Sequence, residues 1–466
     1  MTCPSIYLRS ARREETGSQR PPRQHSFRQK PAISTLDSAT FGVFDSAKDM
    51  RLYAKAVREG TLLATAGYAR YGGPNQFRTA MQLLHLTLKG HIASDYDFDR
   101  FVGSDPLTAK YDAFLTDCGM SAIRLVIDGL LTSPLQKPEL RHQAVANPAH
   151  VITGTECYRK CRVVFGTRIE SSLLQHTELT TEGFSHIEEV LKAKPNTRIV
   201  LLELPTNPFL RVADYLAVRE ATRRHGVVLV VDTTFASPWN LRLLTGPHAA
   251  DIVVESGAKF LNGKNDGESG IVMGRRDLLK IILAHQGAEG GILNADGAYR
   301  LMEGIETLPL RMPQHNRNAL KLAHYLGKHP RVERVWYPLH PTHPDFSRAR
   351  VMLPHGAGGV VTFKLRCDSA RPGDERSQLR RERAATDAFL NALQRFRISE
   401  SFGGMSPMIQ GVLDTSYGAM PPADRARLGI TPTLLRMSVG VDQGEGPQSQ
   451  IDDLERGFAA LEASLK

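Results

Sequence analysis

The feature that most constrains the fold is a series of short apolar runs separated by amphipathic stretches. Two of these runs, VVLVVD at 227–232 and DIVV at 251–254, are apolar at nearly every position. A strand that is apolar at successive positions is buried on both faces, as in a parallel sheet covered by helices. The pattern therefore predicts an α/β fold with a mostly parallel sheet between helices.

Further runs extend this pattern. HVITGTECY (150–158), RIVLLELP (198–205) and SGIVMG (269–274) are predicted strands, and the segments HIEEVLKAK and YLAVREATRRHG are predicted amphipathic helices. Beyond Leu293 the helical segments lengthen, and the strands VERVWYP and GGVVTFKL predict a smaller C-terminal α+β domain. The almost purely polar run 369–383 is expected to be a solvated insertion.

Composition excludes some classes of protein. The chain is 41% hydrophobic and 23% charged, as in an ordinary globular protein, and no apolar run approaches the ~20 residues of a membrane span. Much of the net charge of +10 lies in the first thirty residues, without interleaved aromatic residues. An anionic cofactor and substrate therefore explain the charge better than nucleic acid or a membrane. Five scattered cysteines and the absence of an apolar signal segment indicate the cytoplasm.

Two pairs of possible metal ligands are interpreted as structural. Cys157 and Cys161 have no second pair nearby, and His340 and His343 lie in a loop interrupted by prolines. No metal site is predicted.

The two central runs end in residues that carry chemistry. The first ends in Asp232, and Lys259 follows the second. Such a pair at the ends of neighbouring buried strands fits pyridoxal phosphate (PLP), whose aldehyde bonds to a lysine and whose ring nitrogen an acid keeps protonated. Each residue alone has an ordinary explanation, as a solvated lysine or a strand-end cap.

Several segments around these residues are similar to segments of the cystathionine gamma-synthase family, the PLP enzymes of Cys and Met metabolism. The matching segments are CGMSAI (118–123), ELPTNP (203–208), VVDTTFASP (230–238), SGAKFLNGKND (256–266) and RMSVG (436–440). The resemblance implies the PLP-dependent transferase fold of type I. It comprises a large domain with a mostly parallel sheet and a smaller C-terminal α+β domain.

The resemblance also implies a role for individual residues. Lys259 would hold PLP covalently and, with Tyr158, move protons. Arg436 would bind the substrate carboxylate with help from Ser401. The residues implied to bind the cofactor are Asp232 at the ring nitrogen, Asn207 at the ring hydroxyl, Tyr158 on the ring face, Gly119, Met120 and Ser256 at the phosphate, and Tyr68 and Arg70.

The last two of these residues imply an oligomer. In the family the counterparts of Tyr68 and Arg70 reach the phosphate bound by a neighbouring subunit. The resemblance thus implies a dimer with shared active sites, assembled further into a tetramer. Four regions follow: a disordered basic tail (1–45), an arm contacting the neighbouring subunit (46–80), a PLP-binding large domain (81–300) and a small domain (301–466). A targeting peptide is the alternative for the tail.

The implied activity is γ-replacement or γ-elimination on a homoserine ester or a sulfur amino acid. Cystathionine or methionine gamma-lyase activity, O-acetylhomoserine sulfhydrylase activity and replacement by a non-sulfur nucleophile stay open. So does a PLP-binding protein that has lost catalysis.

Three departures from the family bear on substrate choice. Arg159 and Lys160 replace a glycine pair, and Ser406 replaces a glutamate. The two cations either face solvent or favour a substrate with an anionic tail.

Overall fold

The protein is described by a computed structural model that covers residues 111–132, 148–170, 174–244, 247–367, 374–418, 420–441 and 446–466. Residues 1–110, which include the predicted tail and arm, lie outside this range. Within it, no helix combines the length and apolar character needed to cross a bilayer.

The larger of two sheets has seven strands in the order β1-β7-β6-β5-β4-β2-β3. Strand β7 pairs antiparallel with both β1 and β6, and all other pairs are parallel, so one strand runs against six. The predicted mostly parallel sheet is confirmed. The strands are β1 (Tyr111–Thr116), β2 (Ala149–Gly154), β3 (Leu174–Leu179), β4 (Thr197–Glu203), β5 (Val228–Asp232), β6 (Ile252–Ser256) and β7 (Gly270–Arg275).

The smaller sheet follows in the chain and is mostly antiparallel. Its five strands have the order β10-β11-β12-β9-β8. Strands β8 and β9 are the predicted VERVWYP and GGVVTFKL. The strands are β8 (Val332–Trp336), β9 (Val360–Leu365), β10 (Arg397–Ile398), β11 (Met408–Gly411) and β12 (Leu434–Ser438).

Helices form where apolar residues recur at helical spacing, and a side chain caps the first turn of some of them. At the helix Tyr215–Arg224, for example, the Asp214 side chain accepts a hydrogen bond from the Ala217 amide at 3.1 Å. The helices are α1 (Gly119–Thr132), α2 (Arg159–Glu170), α3 (Ile187–Ala193), α4 (Tyr215–Arg224), α5 (Ser237–Asn240), α6 (Arg276–Glu289), α7 (Ala295–Leu326), α8 (Phe346–Met352), α9 (Glu375–Ala392), α10 (Pro422–Leu428) and α11 (Gln448–Leu465).

Both faces of the large sheet are buried, which explains its apolar strands. On one face, Leu201, Val230 and Val254 pack with side chains of α1, α2 and α6. On the other face, Leu229 and Val253 pack with α3, α4 and α7. Each fully buried aliphatic side chain contributes roughly 1.5–3 kcal/mol.

The polar run 369–383 differs in part from expectation. From Glu375 onward it is the first half of α9, which is capped by Asp374 accepting from the Ser377 amide at 2.7 Å. This part of α9 is largely exposed, as expected of a solvated segment, while its second half packs through Phe389 against Phe458 of α11, with ring centroids 5.0 Å apart. The helix extends beyond the apolar positions because its cap lies within the polar run.

Candidate active site

The carboxyl ends of β4, β5 and β6 place three polar side chains together. Glu203 and Asp232 end neighbouring strands and are directly paired in register. Side chains alternate between the two faces of a strand. Asp232 therefore shares the face of Val230, and Ser256 shares the face of Val254, which α1 and α2 cover. Lys259 follows in the turn after β6.

Asp232 is oriented by Thr234. The amide and hydroxyl of Thr234 donate to Asp232 Oδ1 at 2.9 and 2.5 Å. The Thr234 hydroxyl also accepts from the Ser256 amide at 3.0 Å, which ties the ends of β5 and β6 together. No hydrogen bond reaches Asp232 Oδ2 within the described residues. Burial raises the pKa of Asp232.

Lys259 is a largely enclosed amine. Its Nζ donates to Ser401 Oγ at 2.9 Å and lies 5.1 Å from the centre of the Phe402 ring. Burial, together with the positive charge of Arg436, lowers the pKa of Lys259 to about 8. Near neutral pH, a larger fraction of such a lysine than of a solvated one is the neutral amine, which can act as a base and a nucleophile.

A glycine brings the smaller sheet's loop onto the turn that carries Lys259. Gly403 has φ +88°, and a Cβ there would lie 2.5 Å from the Phe260 amide nitrogen. Only glycine combines this conformation with this approach. The neighbouring Phe402 stacks on Phe235 with centroids 4.4 Å apart, which forms an aromatic wall beside the lysine.

The start of α1 faces the end of β6. Gly119 and Met120 are the first two helical residues, whose N–H groups have no intrahelical acceptor. A Cβ on Gly119 would lie 2.8 Å from Ser256 Cβ, so the helix end and Ser256 are in direct proximity. Unpaired N–H groups at a positive helix end beside a hydroxyl are suited to a phosphate.

Tyr158 lies between β2 and α2. Its amide donates to Glu203 Oε2 at 2.6 Å, and its side chain is half-buried. Cys157 and Cys161 on either side of it are buried in the core below α2.

Arg436 projects from β12 into the same region. Its Nη1 donates to Asn207 Oδ1 at 2.8 Å, and its Nη2 donates to the Glu400 carbonyl at 2.6 Å. With the Gln410 amide oxygen turned toward the guanidinium, that oxygen accepts from Nε at 3.0 Å. Burial lowers the pKa of Arg436 to about 10.

Comparison with known proteins shows which family the sequence matches. The sequence profile of the Cys/Met metabolism PLP-dependent enzymes matches residues 106–459. A cystathionine gamma-lyase of Dictyostelium discoideum is 35% identical over 358 residues, which are 76% of this chain and 85% of the relative. The chloroplastic cystathionine gamma-synthase 1 of Nicotiana tabacum is 33% identical over 302 residues, which are 65% of this chain and 53% of the relative.

A solved structure agrees with these relatives. The cystathionine gamma synthase from Xanthomonas oryzae pv. oryzae in complex with cystathionine superposes with a TM-score of 0.68 at 26% identity, covering 84% of this chain and 87% of that chain. The present chain belongs to the Cys/Met metabolism PLP-dependent enzymes. The predicted family, its type I fold and its cofactor are confirmed at this level. The chain spans about half the length of the plant synthases that it matches.

The described residues fit PLP. Asp232 presents an oxygen without a hydrogen-bond donor, as a protonated ring nitrogen requires. The Asn207 amide uses its oxygen for Arg436, which leaves its Nδ2 as a donor. Lys259 supplies an amine of lowered pKa, and the start of α1 supplies N–H groups for a phosphate.

The predicted site residues separate into two sets. The structure brings together those that lie within the described residues, and Tyr68 and Arg70 lie outside them. Among the described residues, no cluster of three or more His, Cys, Asp or Glu side chains could hold a metal ion.

Sequence reasoning missed Glu203, Thr234 and Gln410. A threonine two positions after a strand-ending aspartate is a signal for the hydrogen bonds of Thr234, because it can close a local turn. The Glu203 and Gln410 contacts join residues 45 and 26 positions apart in the chain, and no local pattern reports them.

Proposed function

We propose that this chain is a PLP-dependent enzyme that replaces or eliminates the γ-substituent of a homoserine ester or sulfur amino acid, with cystathionine gamma-synthase-like replacement as its main reaction. The observation that carries the proposal is a largely enclosed lysine in the turn after β6. Lys259 Nζ and the buried Arg436 guanidinium lie 5.1 and 5.4 Å from the centre of the same Phe402 ring, and Asp232 ends the neighbouring strand β5. When bound, PLP would supply an electron sink for negative charge at the substrate Cα.

Individual residues would hold the cofactor in the way that the family resemblance implies. Asp232 would accept from the ring nitrogen through Oδ2, and Asn207 would donate to the ring hydroxyl. Tyr158 would cover one ring face. Gly119, Met120 and Ser256 would bind the phosphate from the large domain.

Proton movement is assigned to Lys259 and Tyr158. With a pKa of about 8, the Lys259 amine is neutral in a useful fraction of molecules, so Nζ can take the proton from the substrate Cα. The same nitrogen, returned to its charged form, then has a proton to deliver. Ser401, which accepts from Nζ at 2.9 Å, would hold the amine in place between these steps.

Arg436 would bind the substrate carboxylate. Its planar guanidinium matches the two oxygens of a carboxylate. Because its N–H groups are hydrogen-bonded to Asn207, the Glu400 carbonyl and Gln410, the substrate would share or replace some of these contacts.

The oligomer is part of the proposal. Tyr68 and Arg70 would complete the phosphate site of a neighbouring subunit, so that a dimer carries shared sites and two dimers form a tetramer. A test is to mix an Arg70→Ala variant with a Lys259→Ala variant. If sites are shared, each mixed dimer regains one intact site, formed by Lys259 of one subunit and Arg70 of the other. No regain of activity on mixing would count against shared sites. We also propose that the protein is cytoplasmic, because its cysteines are scattered along the chain.

Lyase activity is the second candidate, because several relatives of similar identity are named as gamma-lyases. A panel of homoserine esters, cystathionine and methionine, with and without cysteine, separates the two. The proposal expects cystathionine from a homoserine ester and cysteine. Keto acid and ammonia as the main products would favour the lyase, and no turnover of any substrate would favour a binding protein.

Substrate choice is the finer part of the proposal. Lys160 is exposed at the start of α2, and its positive charge contributes to the lowered pKa of Lys259. We propose that this cation favours an ester with an anionic tail, such as succinyl or phosphoryl homoserine. In Arg159→Gly/Lys160→Gly, kcat/KM for those esters should fall relative to the acetyl ester. Unchanged ratios would refute the idea.

A further inference from the structure

Glu203 is a buried carboxyl group in the site to which the proposed function gives no role. It is the last residue of β4 and has a relative exposure of 6%. Burying a carboxyl group is costly unless it forms specific hydrogen bonds. Its Oε2 accepts the Tyr158 amide proton at 2.6 Å, a short contact between β4 and the segment that follows β2.

The contact fixes the backbone at the point where the Tyr158 side chain leaves it. The Tyr158 carbonyl accepts from the Cys161 amide at 2.8 Å, within the first turn of α2. That bond is local and moves with the helix. The bond to Glu203 instead connects Tyr158 to the strand that is paired in register with the strand bearing Asp232.

The charge of Glu203 matters because of its neighbour. Two adjacent carboxylates on one face repel each other, and burial together with Asp232 and Cys157 raises the pKa of Glu203 well above its usual value. A neutral Glu203 can still accept the Tyr158 N–H.

We infer that Glu203 is a positioning residue, which aims the Tyr158 ring at the cofactor by holding the Tyr158 amide against the end of β4. This inference rests on the proposed function for its catalytic consequence. The hydrogen bond itself can be tested without it.

The first test is amide hydrogen exchange of the peptide containing Tyr158, in protein free of cofactor. Glu203→Ala removes the acceptor, so exchange at Tyr158 should be faster by about tenfold. Glu203→Gln keeps a neutral acceptor oxygen, and its exchange should match that of the unaltered protein. Equal exchange in all three proteins would overturn the inference, whatever the protein's activity.

The second test asks whether Glu203 acts through Tyr158. Glu203→Ala should lower kcat/KM by about tenfold, mostly in kcat, and Glu203→Gln should restore it to within about threefold. In a Tyr158→Phe background, Glu203→Ala should have a smaller effect, because the group that it positions is already altered. If Glu203→Ala lowers kcat/KM by the same factor with and without Tyr158→Phe, the role of Glu203 would be merely structural. The same would follow if Glu203→Gln were as slow as Glu203→Ala.

The two tests separate failure of this inference from failure of the proposed function. If Lys259 takes up no PLP, the proposed function fails while the exchange experiment still decides the Glu203 contact. Thermal unfolding of each variant identifies any that do not fold, and Glu203→Gln, with its nearly unchanged shape, keeps the comparison open.

Discussion

The two halves of the candidate site differ in how completely the protein satisfies its own polar groups. At the large sheet, Asp232 keeps one carboxylate oxygen without a hydrogen bond from the described residues. Gly119 and Met120 begin a helix, so their N–H groups have no intrahelical acceptor. At the small sheet, Arg436 already donates to Asn207 and to the Glu400 carbonyl.

This difference is the one expected between the site of a cofactor that stays bound and the site of a substrate that binds and leaves. Polar groups that are partly buried and have no partner among the described residues are costly unless something binds them, as a resident cofactor does. An arginine that is satisfied within the protein can stay buried between turnovers and exchange partners when substrate arrives. We therefore propose that the large-sheet half holds PLP and that the small-sheet half binds and releases an amino acid.

The largest effect is expected from the reacting group of the large-sheet half. Lys259→Ala removes the amine that we propose moves the Cα proton, so the rate of product formation should fall by at least about a hundredfold. The matched control is Lys264→Ala, an exposed lysine five positions on that pairs with Glu303 at 2.9 Å. The control should retain nearly full activity. Retained activity in Lys259→Ala would contradict the statement that the large-sheet half carries the reacting group.

The next effect concerns the small-sheet half. Arg436→Lys keeps a positive charge but loses the planar guanidinium and its paired N–H donors. The KM for the substrate should therefore rise about tenfold to a hundredfold, while PLP uptake stays unchanged. Arg334→Lys, at an exposed position of β8 in the same sheet, is the control. A loss of PLP binding in Arg436→Lys would show that the two halves are not separate.

A pH dependence tests the enclosure of Lys259. Only the neutral amine reacts with the cofactor aldehyde, and burial beside Arg436 lowers its pKa to about 8. The neutral fraction, and with it the rate of covalent PLP uptake, should therefore increase about tenfold from about pH 7 to about pH 9 and then level off. A rate that keeps rising toward the ordinary lysine value of 10.5 would contradict an enclosed amine.

The smallest effect concerns the phosphate end. Gly119→Ala places a Cβ 2.8 Å from Ser256 Cβ, so it should lower the free energy of unfolding by about 1–3 kcal/mol and weaken PLP affinity. Gly166→Ala, in α2 with nothing within 4 Å of its Cβ, should raise stability by roughly 0.5–1 kcal/mol. Urea unfolding compares the two. Equal stability of both variants would contradict the close approach of α1 to β6.

The sequence predicts the large-sheet half of the site better than the small-sheet half, for a physical reason. Asp232 ends one apolar run and Lys259 closely follows the next, and strand ends meet at one edge of a parallel sheet, so their placement at the same edge follows from the pattern alone. The contact between Lys259 and Ser401 joins residues 142 positions apart and depends on the backbone of Gly403. The Glu203 contact with Tyr158 likewise depends on tertiary packing. For Arg436, Ser401 and Tyr158, only the family resemblance indicates a role.

The most direct measurement is the position of the cofactor itself. The purified protein is incubated with PLP, reduced with borohydride, digested and mapped by mass spectrometry. The account predicts one pyridoxyl adduct on Lys259, absent from Lys259→Ala and present in Lys264→Ala. An unmodified Lys259 peptide, or an adduct that persists on another lysine when Lys259 is alanine, would contradict it.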